Sequence, residues 1–379
     1  MRLSPVVVKA VVLLALALAA CTPRGAPAAK PAAGGAAGQA AQPALRPDYF
    51  AGKTMTALVN FSAGGPTDVF ARLVAAHLEK YVPGQPKIVV DNKPGAGGAI
   101  GANQLFNASR KDGLTVGMFS SPFAQQILAA DGVQYDSAGF LWLGGVSETS
   151  VSYVGASLGA KNARELPQAR GEIVAGGLSP DSSKDLTLRT YLNMFGLKHR
   201  YVTGYPGQAD INLAFRRGEV NYAEESLTSW VTNGAQLVKE GQAYATSQRG
   251  ILRGRDAVRD PRVADIPTHL EVAVELKGDA VKQSVEYRAM TLIVQMSSML
   301  RAIVYPPGTS PEVVEAMRQA VASTFADPEF QAAAHQQLGF EFVFVPGAEA
   351  QDQAQLIISQ AQQDAEALDY LKRLAKEKN

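Results

Sequence analysis

Phe61-Ser62-Ala63-Gly64-Gly65-Pro66-Thr67-Asp68 and Pro94-Gly95-Ala96-Gly97-Gly98-Ala99-Ile100-Gly101 are the two stretches that decide the fold. Each follows a short apolar run of buried-strand character, Met55–Phe61 in the first case and Lys87–Val90 in the second. Each then opens an amphipathic run at helical spacing. Strand, glycine-rich turn and helix N-terminus in succession place both turns at the carboxyl edge of one parallel sheet. A helix N-terminus carries free backbone N–H groups and about half a positive charge, which suits an anion. Glycines let such a ligand reach the backbone with no Cβ in the way. The pair reads as two backbone cradles for a carboxylate, on a protein that binds and does no chemistry.

Working outward, Pro66 occupies the first helical position, with Gly65 as N-cap and Asp68 at the third. Asp68 has two readings, an acid that opposes the helix dipole or a direct ligand contact. His77 falls on the apolar stripe of Phe70, Leu73, Val74 and Tyr81, as a core histidine would. After Gly98 a second helix runs through Leu105 and Phe106 to a stop at Asp112-Gly113. Leu114–Phe119 is a third strand, and Ser120-Ser121-Pro122 a third turn at the same edge.

Strand-like runs follow at Phe140–Val146 and Ser150–Val154, the second crossing into another lobe. There the pattern repeats. Strand Glu172–Gly176, the polar turn Leu178-Ser179-Pro180-Asp181-Ser182-Ser183 and helix Leu186–Phe195 lead to strand Arg200–Thr203 and the turn Gly204-Tyr205-Pro206-Gly207. A helix over Ala209–Arg217 and a strand over Val220–Ala223 come next, followed by Glu224-Glu225-Ser226. Gly250–Pro267 reads as charged and irregular, and Asp279–Met299 as a helix. Leu300–Tyr305 is a strand returning to the first lobe, and one final helix covers about Ala348–Ala375.

The N-terminus stands apart. Arg2 and Lys9 precede the apolar run Ala10–Ala20, too short for the roughly 20 residues a membrane span needs. The run ends Leu18-Ala19-Ala20-Cys21, which resembles the bacterial lipobox, with the chain's single cysteine as the lipidated residue. Thr22–Leu45 is almost all Ala, Gly, Pro and Gln, so it cannot bury enough apolar surface to order itself. As a flexible coil it spans roughly 27 Å and serves as a tether. The expected organisation is a signal peptide over 1–20, a lipid-anchored linker over 21–46, a first lobe over 47–152 plus 300–379, and a second over 153–299. Charge is balanced, with 36 basic and 35 acidic residues, and no basic block marks a nucleic-acid footprint.

These residues resemble the receptors of tripartite tricarboxylate transporters, also called the Bug family. Asn60–Asp68 is similar to the family's first signature and Asn92–Gly101 to its second. Asp265-Ile266-Pro267-Thr268, Tyr305-Pro306-Pro307-Gly308-Thr309 and Ala326-Asp327-Pro328-Glu329 resemble three further elements in order, so the likeness covers roughly Phe50 to Val345. The resemblance implies an α/β chain with a two-lobed type II periplasmic-binding-protein-like fold, each lobe a mainly parallel sheet flanked by helices. It implies an extracytoplasmic binding protein, acting as a monomer, that captures a small organic carboxylate for integral-membrane transporter subunits. Carried over by position, Ser62, Ala63, Gly64, Gly65 and Asp68 line one side of the ligand. Gly95, Ala96 and Gly97 line the other, with Ser120 and Ser121 from the third turn.

Departures fall in the second lobe. Where the family shows Gly-x-Gly-Ser-x-x-His-Leu, this chain has Ser179-Pro180-Asp181-Ser182-Ser183-Lys184-Asp185-Leu186. Where the family has Val-Pro-Tyr-Lys-Gly, Thr203-Gly204-Tyr205-Pro206-Gly207 stands. Ser179, Ser182, Tyr205 and Gly207 remain as candidates for the distal part of the ligand. Asp181 or Asp185 could repel a second carboxylate or accept from an amine, and Asp181 reads equally as a turn residue. Tyr153, Tyr205 and Trp230 are either an aromatic wall or core. The stretch from Gly250 to Leu300 is longer than the family's.

Enzymatic readings find little support. Gly95-x-Gly97 meets Ile100 where a dinucleotide fingerprint needs glycine, and there is no Gly-x-x-x-x-Gly-Lys-Ser/Thr run. His77, His199, His269 and His335 form no motif for catalysis or metal. Neither a cofactor nor a metal is expected. The alternative function on the same fold is a tethered ligand sensor or scaffold with a membrane signalling partner.

Overall fold

The computed structural model describes residues 45–120, 122–253, 256–297 and 299–377. The expected signal peptide, Cys21 and most of the expected linker lie outside the described residues, as does Ser121. Among the described residues no helix is long and apolar enough to cross a membrane.

The chain enters on β1 (Thr54–Val59), α1 (Pro66–Leu78), β2 (Lys87–Asn92), α2 (Ala99–Asn103), β3 (Thr115–Ser120), α3 (Pro122–Ile127) and β4 (Leu141–Ser147). β1 lies between β2 and β3 and pairs parallel with both, Val59 standing opposite Asn92 and Met118. The expected second helix is short, with α2 giving way to a π-turn over Gln104–Ala108. The chain then changes sheet. β5 (Ser150–Gly155), β6 (Ile173–Gly176), α4 (Ser183–Met194), β7 (His199–Val202), α5 (Gln208–Arg216), β8 (Tyr222–Ser226), α6 (Leu227–Ser229), α7 (Ala235–Lys239) and β9 (Ala243–Gln248) form the second body. Its five strands run in the order β7-β6-β8-β5-β9.

The strand does not end before Glu224-Glu225-Ser226. All three residues lie inside β8 and are buried. The sequence pattern misplaces them because a carboxylate pair ordinarily seeks water, whereas here serine, tyrosine and arginine partners wait for it inside. Gly250–Pro267 is also more ordered than expected. It holds the antiparallel hairpin β10 (Ile251–Arg253) and β11 (Asp256–Val258), which takes up part of the extra length. Helix α8 (His269–Lys277) follows, opened by a capping box in which Thr268 and Glu271 satisfy each other's backbone N–H. A 3₁₀ turn over Asp279–Gln283 and an N-cap at Ser284 precede α9 (Val285–Met296), so Asp279–Met299 is not one helix.

β12 (Arg301–Tyr305) brings the chain back to the first sheet, inserted antiparallel between β3 and β4. After α10 (Pro311–Ala326) and α11 (Pro328–Leu338), β13 (Val343–Pro346) adds the edge and completes the order β13-β4-β12-β3-β1-β2. In the second sheet β5 is likewise antiparallel to both neighbours, β8 and β9. Both sheets are therefore mixed, each a parallel set with a crossing strand wedged in. The final helix is broken in two, α12 (Gly347–Ala361) and α13 (Ala365–Lys376), because Asp364 caps a new N-terminus by accepting from Ala367 N–H. α12 packs on β4, and α13 on α4 and α9.

Every residue of β5, β6, β8 and β12 is buried. Trp142 on β4 stacks on Phe123, ring centroids 5.4 Å apart, and donates its indole N–H to the Ser137 carbonyl at 2.9 Å. Thr268→Ala is expected to lower unfolding free energy by about 1 kcal/mol through loss of the cap, measured as a lower urea midpoint with unchanged slope.

Candidate ligand-binding site

Strand direction decides where the turns go. β1, β2 and β3 all end at one edge of the first sheet, so Asn60–Gly65, Lys93–Gly98 and Ser120 emerge together. Arg301 opens β12 opposite Ser120 and so joins them. In the second sheet β6, β7 and β8 end at Gly176, Val202 and Ser226, with Ser150 opposite Ser226 and Gln248 opposite Val151. The segment Glu148-Thr149 links the two edges directly.

Asn60 fastens the first set. Its side-chain oxygen accepts from Ser120 N–H at 3.0 Å, and its amide donates to the Ser120 carbonyl at 3.3 Å and the Gly98 carbonyl at 3.5 Å. The second glycine turn is held in an unusual shape. Gly95, Ala96, Gly97 and Gly98 have φ of +124°, +48°, +60° and +98°, four successive residues in a region that L side chains rarely adopt. That requirement explains the glycines, and the strain at Ala96 is of the kind found at ligand clamps. The Gly97 carbonyl accepts from Gln125 Nε2 at 2.9 Å, and a Cβ on Gly97 would meet that nitrogen. Ser62, Ala63, Gly64, Gly95 and Ala96 are exposed to solvent, Gly65 and Gly97 partly so.

Asp68 is 3 % exposed. It accepts from Gly64 N–H at 2.9 Å, Arg72 Nε at 2.9 Å and Asn92 Nδ2 at 3.0 Å. Its carboxylate braces the first cradle from behind. Burial pushes its pKa up, but the hydrogen bonds from Arg72, Gly64 and Asn92 outweigh this and hold it below the ordinary carboxylate value.

In the second sheet's turns, Asp185 Oδ2 accepts from Ser179 N–H at 3.0 Å and Tyr201 O–H at 2.6 Å, and Oδ1 from Ser182 O–H at 2.8 Å. Ser182 caps α4 in return. Burial raises the Asp185 carboxyl to about 6 against those hydrogen bonds. Asp181 accepts from the Ser179 hydroxyl within the turn. Gly204 N–H donates to the Leu178 carbonyl at 3.2 Å and joins this turn to the one carrying Tyr205 and Gly207. Tyr205 is half-buried beside the core, while Tyr153 and Trp230 lie within it.

Beneath these turns the crossings carry buried charge. Glu148 accepts from Thr228 N–H at 2.6 Å and lies 3.4 Å from Arg301 Nη2, whose Nη1 donates to Ser120 Oγ at 2.9 Å. Glu224 accepts from the Ser150 hydroxyl and from Ser152 Oγ at 3.0 Å, with Arg249 Nη1 at 3.8 Å and His269 Nε2 at 3.5 Å. Glu225 accepts from Tyr153 O–H at 2.5 Å. Arg249 and Arg301 are 1 % and 3 % exposed. The sequence reading passed over Asn60, Lys184, Arg249 and Arg301. Arg301 at the head of an otherwise apolar strand was a visible anomaly.

The model of the tripartite tricarboxylate transporter family receptor matches residues 70–371. The chain belongs to that family. Among curated relatives, BugT of Bordetella pertussis is 40% identical over 74 residues, 20% of this chain and 22% of that protein. A protein of Cupriavidus necator described as lying in the gbd 5′ region is 36% identical over 75 residues, again 20% and 22% of the two chains. The matched stretch thus spans under a quarter of these relatives. Among solved structures, the periplasmic binding protein BugD superposes with TM-score 0.61 at 21% identity, covering 83% of this chain and 97% of that one. MatC of Rhodopseudomonas palustris, solved with malate, gives 0.58 at 17%, covering 85% and 99%. A second R. palustris protein, solved with adipate, gives 0.61 at 20%, covering 83% and 97%. These likenesses establish that this family member shares their mixed-sheet α/β fold.

Two outcomes follow for this receptor. A carboxylate cradle at these turns predicts that Gly64→Val and Gly97→Val weaken carboxylate binding at least tenfold in calorimetry while lowering the melting midpoint by only about 2–4 °C; unchanged affinity in both removes the cradle assignment. For Asp68, a depressed folded pKa means stabilisation that is present above the unfolded value near 3.9 and lost as pH falls through the folded value. Asp68→Asn should therefore cost about 1 kcal/mol at pH 7, with the gap to wild type closing below about pH 4 in urea titrations.

Proposed function

We propose that this chain is a lipid-anchored extracytoplasmic receptor that captures a small organic carboxylate between two lobes. It delivers that ligand to the integral-membrane subunits of a tripartite tricarboxylate-type uptake transporter. The observation that carries the reading is the second glycine turn, strained into four successive positive-φ residues and fastened by Asn60 to the third turn. Such a turn presents backbone rather than side chains to a ligand, which is how an anion is held without a dedicated cation. Family membership supports the transporter partnership, and the malate- and adipate-bound relatives support the ligand class.

Ser62, Ala63, Gly64, Gly65, Gly95, Ala96, Gly97 and Ser120 form the near side in this reading, and Ser179, Ser182, Tyr205 and Gly207 the far side. Asp68 supports the first cradle. Ser121 joins the near-side ligand set, and Cys21 carries the lipid. The two separate sheets support the division into lobes, with the first boundary at about 152. Three or four charge-assisted hydrogen bonds of about 1.5–3 kcal/mol each would reach a micromolar site after ordering costs.

The test is a thermal-shift screen of the purified protein, freed of co-purified ligand, against mono-, di- and tricarboxylates and amino acids. At a hundred times Kd a ligand adds about 2.7 kcal/mol, enough to move the midpoint by several degrees. A shift with one carboxylate class is the expected result. No shift with any of them would refute the reading.

A further inference from the structure

We propose that a cavity between α4, β7 and the end of α13 is a second anion site, built on Arg189, capped by Glu377 and suited to a phosphate group. It is separate from the carboxylate site and does not rest on the receptor reading.

The location follows from strand direction. The candidate ligand turns leave β6 and β7 at Gly176 and Val202, whereas this cavity is lined from the opening residues of β7, His199, Arg200 and Tyr201. α4 adds Arg189 and Asn193, four residues apart and so on one helix face. Glu377, the first residue after α13, closes the ring. The enclosed volume is about 370 Å³.

Arg189 is the anomaly. Its side chain is 3 % exposed, and its guanidinium lies over the Tyr201 ring, 4.4 Å from the centroid. Nη2 donates to Glu377 Oε2 at 3.2 Å. Nη1 is buried and has no hydrogen-bond partner among the described residues. One arm of the fork is thus in use and the other is not, a costly state for a buried guanidinium. The counter-ion it does have is weakly held. The Glu377 side chain is 60 % exposed, and an ion pair with one partner in water contributes little. Glu377 is also the one acidic residue lining the cavity.

The other polar groups select among anions. Asn193 Nδ2 is committed to Tyr370 Oη at 2.9 Å, and Tyr201 O–H to Asp185. His199 Nδ1–H donates to the Leu197 carbonyl at 2.9 Å, which leaves Nε2 of the neutral ring as an acceptor. Arg200, loosely paired with Glu172 at 3.6 Å, adds positive charge at the rim. A phosphate group that displaces Glu377 gives two oxygens to the Arg189 fork. Its remaining P–O–H can donate to His199 Nε2. An ionised carboxylate fills the fork equally well but has no proton for the imidazole.

The experiment is calorimetry on the full-length protein with inorganic phosphate and, separately, glycerol 3-phosphate. Wild type should bind inorganic phosphate with Kd of about 1 mM or tighter. Glu377→Gln removes the resident competitor at an exposed position and should tighten phosphate about threefold or more. Arg189→Met keeps the stem over Tyr201 and should weaken phosphate about tenfold or more. Arg189→Lys, which keeps the charge and loses the fork, should weaken it likewise. Circular dichroism verifies each fold, and Glu377→Gln decides alone if neither Arg189 variant folds. A tighter ester than inorganic phosphate assigns the site to phosphomonoesters, and a weaker one to the free ion; the site stands in both cases. No binding by wild type or Glu377→Gln up to about 10 mM overturns it. So does an affinity that Glu377→Gln fails to raise, or one that folded Arg189 variants leave unmoved. Phosphate binding lost in Gly97→Val but kept in the Arg189 variants puts the ion in the glycine cradle and overturns the second site. None of these outcomes touches carboxylate capture, which the thermal-shift screen decides separately.

Discussion

A guanidinium placed where water does not reach must find its anions in the protein, and Arg301 does so at the point where the chain returns from one sheet to the other. Its partner, Glu148, sits on the outgoing crossing. The two connections between the sheets are therefore joined through side chains as well as through backbone. Losing one member of a buried pair costs about 3–5 kcal/mol, because the survivor is stranded. That cost pins β12 between β3 and β4 in one register. The same register sets Ser120, and through Asn60 the glycine turns, at a fixed height above the crossing. The cradles are positioned by the hinge, and the hinge is positioned by charge.

The first sheet's edge was readable before any coordinates, because backbone requirements leave marks in composition. Glycine at 95, 97 and 98 answers a run of positive φ, and Pro66 after Gly65 announces α1. The second body was less legible. Hydrophobic alternation identifies strands whose faces are apolar, and β8 ends in two glutamates that are buried all the same. Nothing local distinguishes such a pair from a solvated turn, since the groups that neutralise it lie far away in the chain, at Ser150, Ser152, Tyr153 and Arg249. Helix α8 is a different kind of miss. Thr268-x-x-Glu271 is a legible start signal, but it sits behind a charged stretch that read as irregular. The break between α12 and α13 was likewise available in Asp364, one capping residue inside an otherwise helical pattern.

The two halves of the candidate site divide the work by chemistry. The glycine turns offer backbone in a fixed, strained shape. The second sheet's turns and the crossings offer side chains, and it is there that this chain departs from its family. A carboxylate at 185 where the family carries histidine is saturated by Tyr201, Ser179 and Ser182, so it organises the turn.

The C-terminal helices have a mechanical consequence. α12 packs on β4 of the first sheet, while α13 packs on α4 and α9, and Asn193 donates to Tyr370 across that contact at 2.9 Å. Arg288 on α9 holds Asp364, the cap between the two helices, at 2.7 Å. A strap anchored at both ends cannot stretch, so the bodies cannot swing apart about their two connections alone. Any widening of the mouth must be matched by sliding of α13 over α4, a shear of packed helices that stops after small displacements. How far the two sheets can move relative to one another is thus limited by the fit of one helix against another.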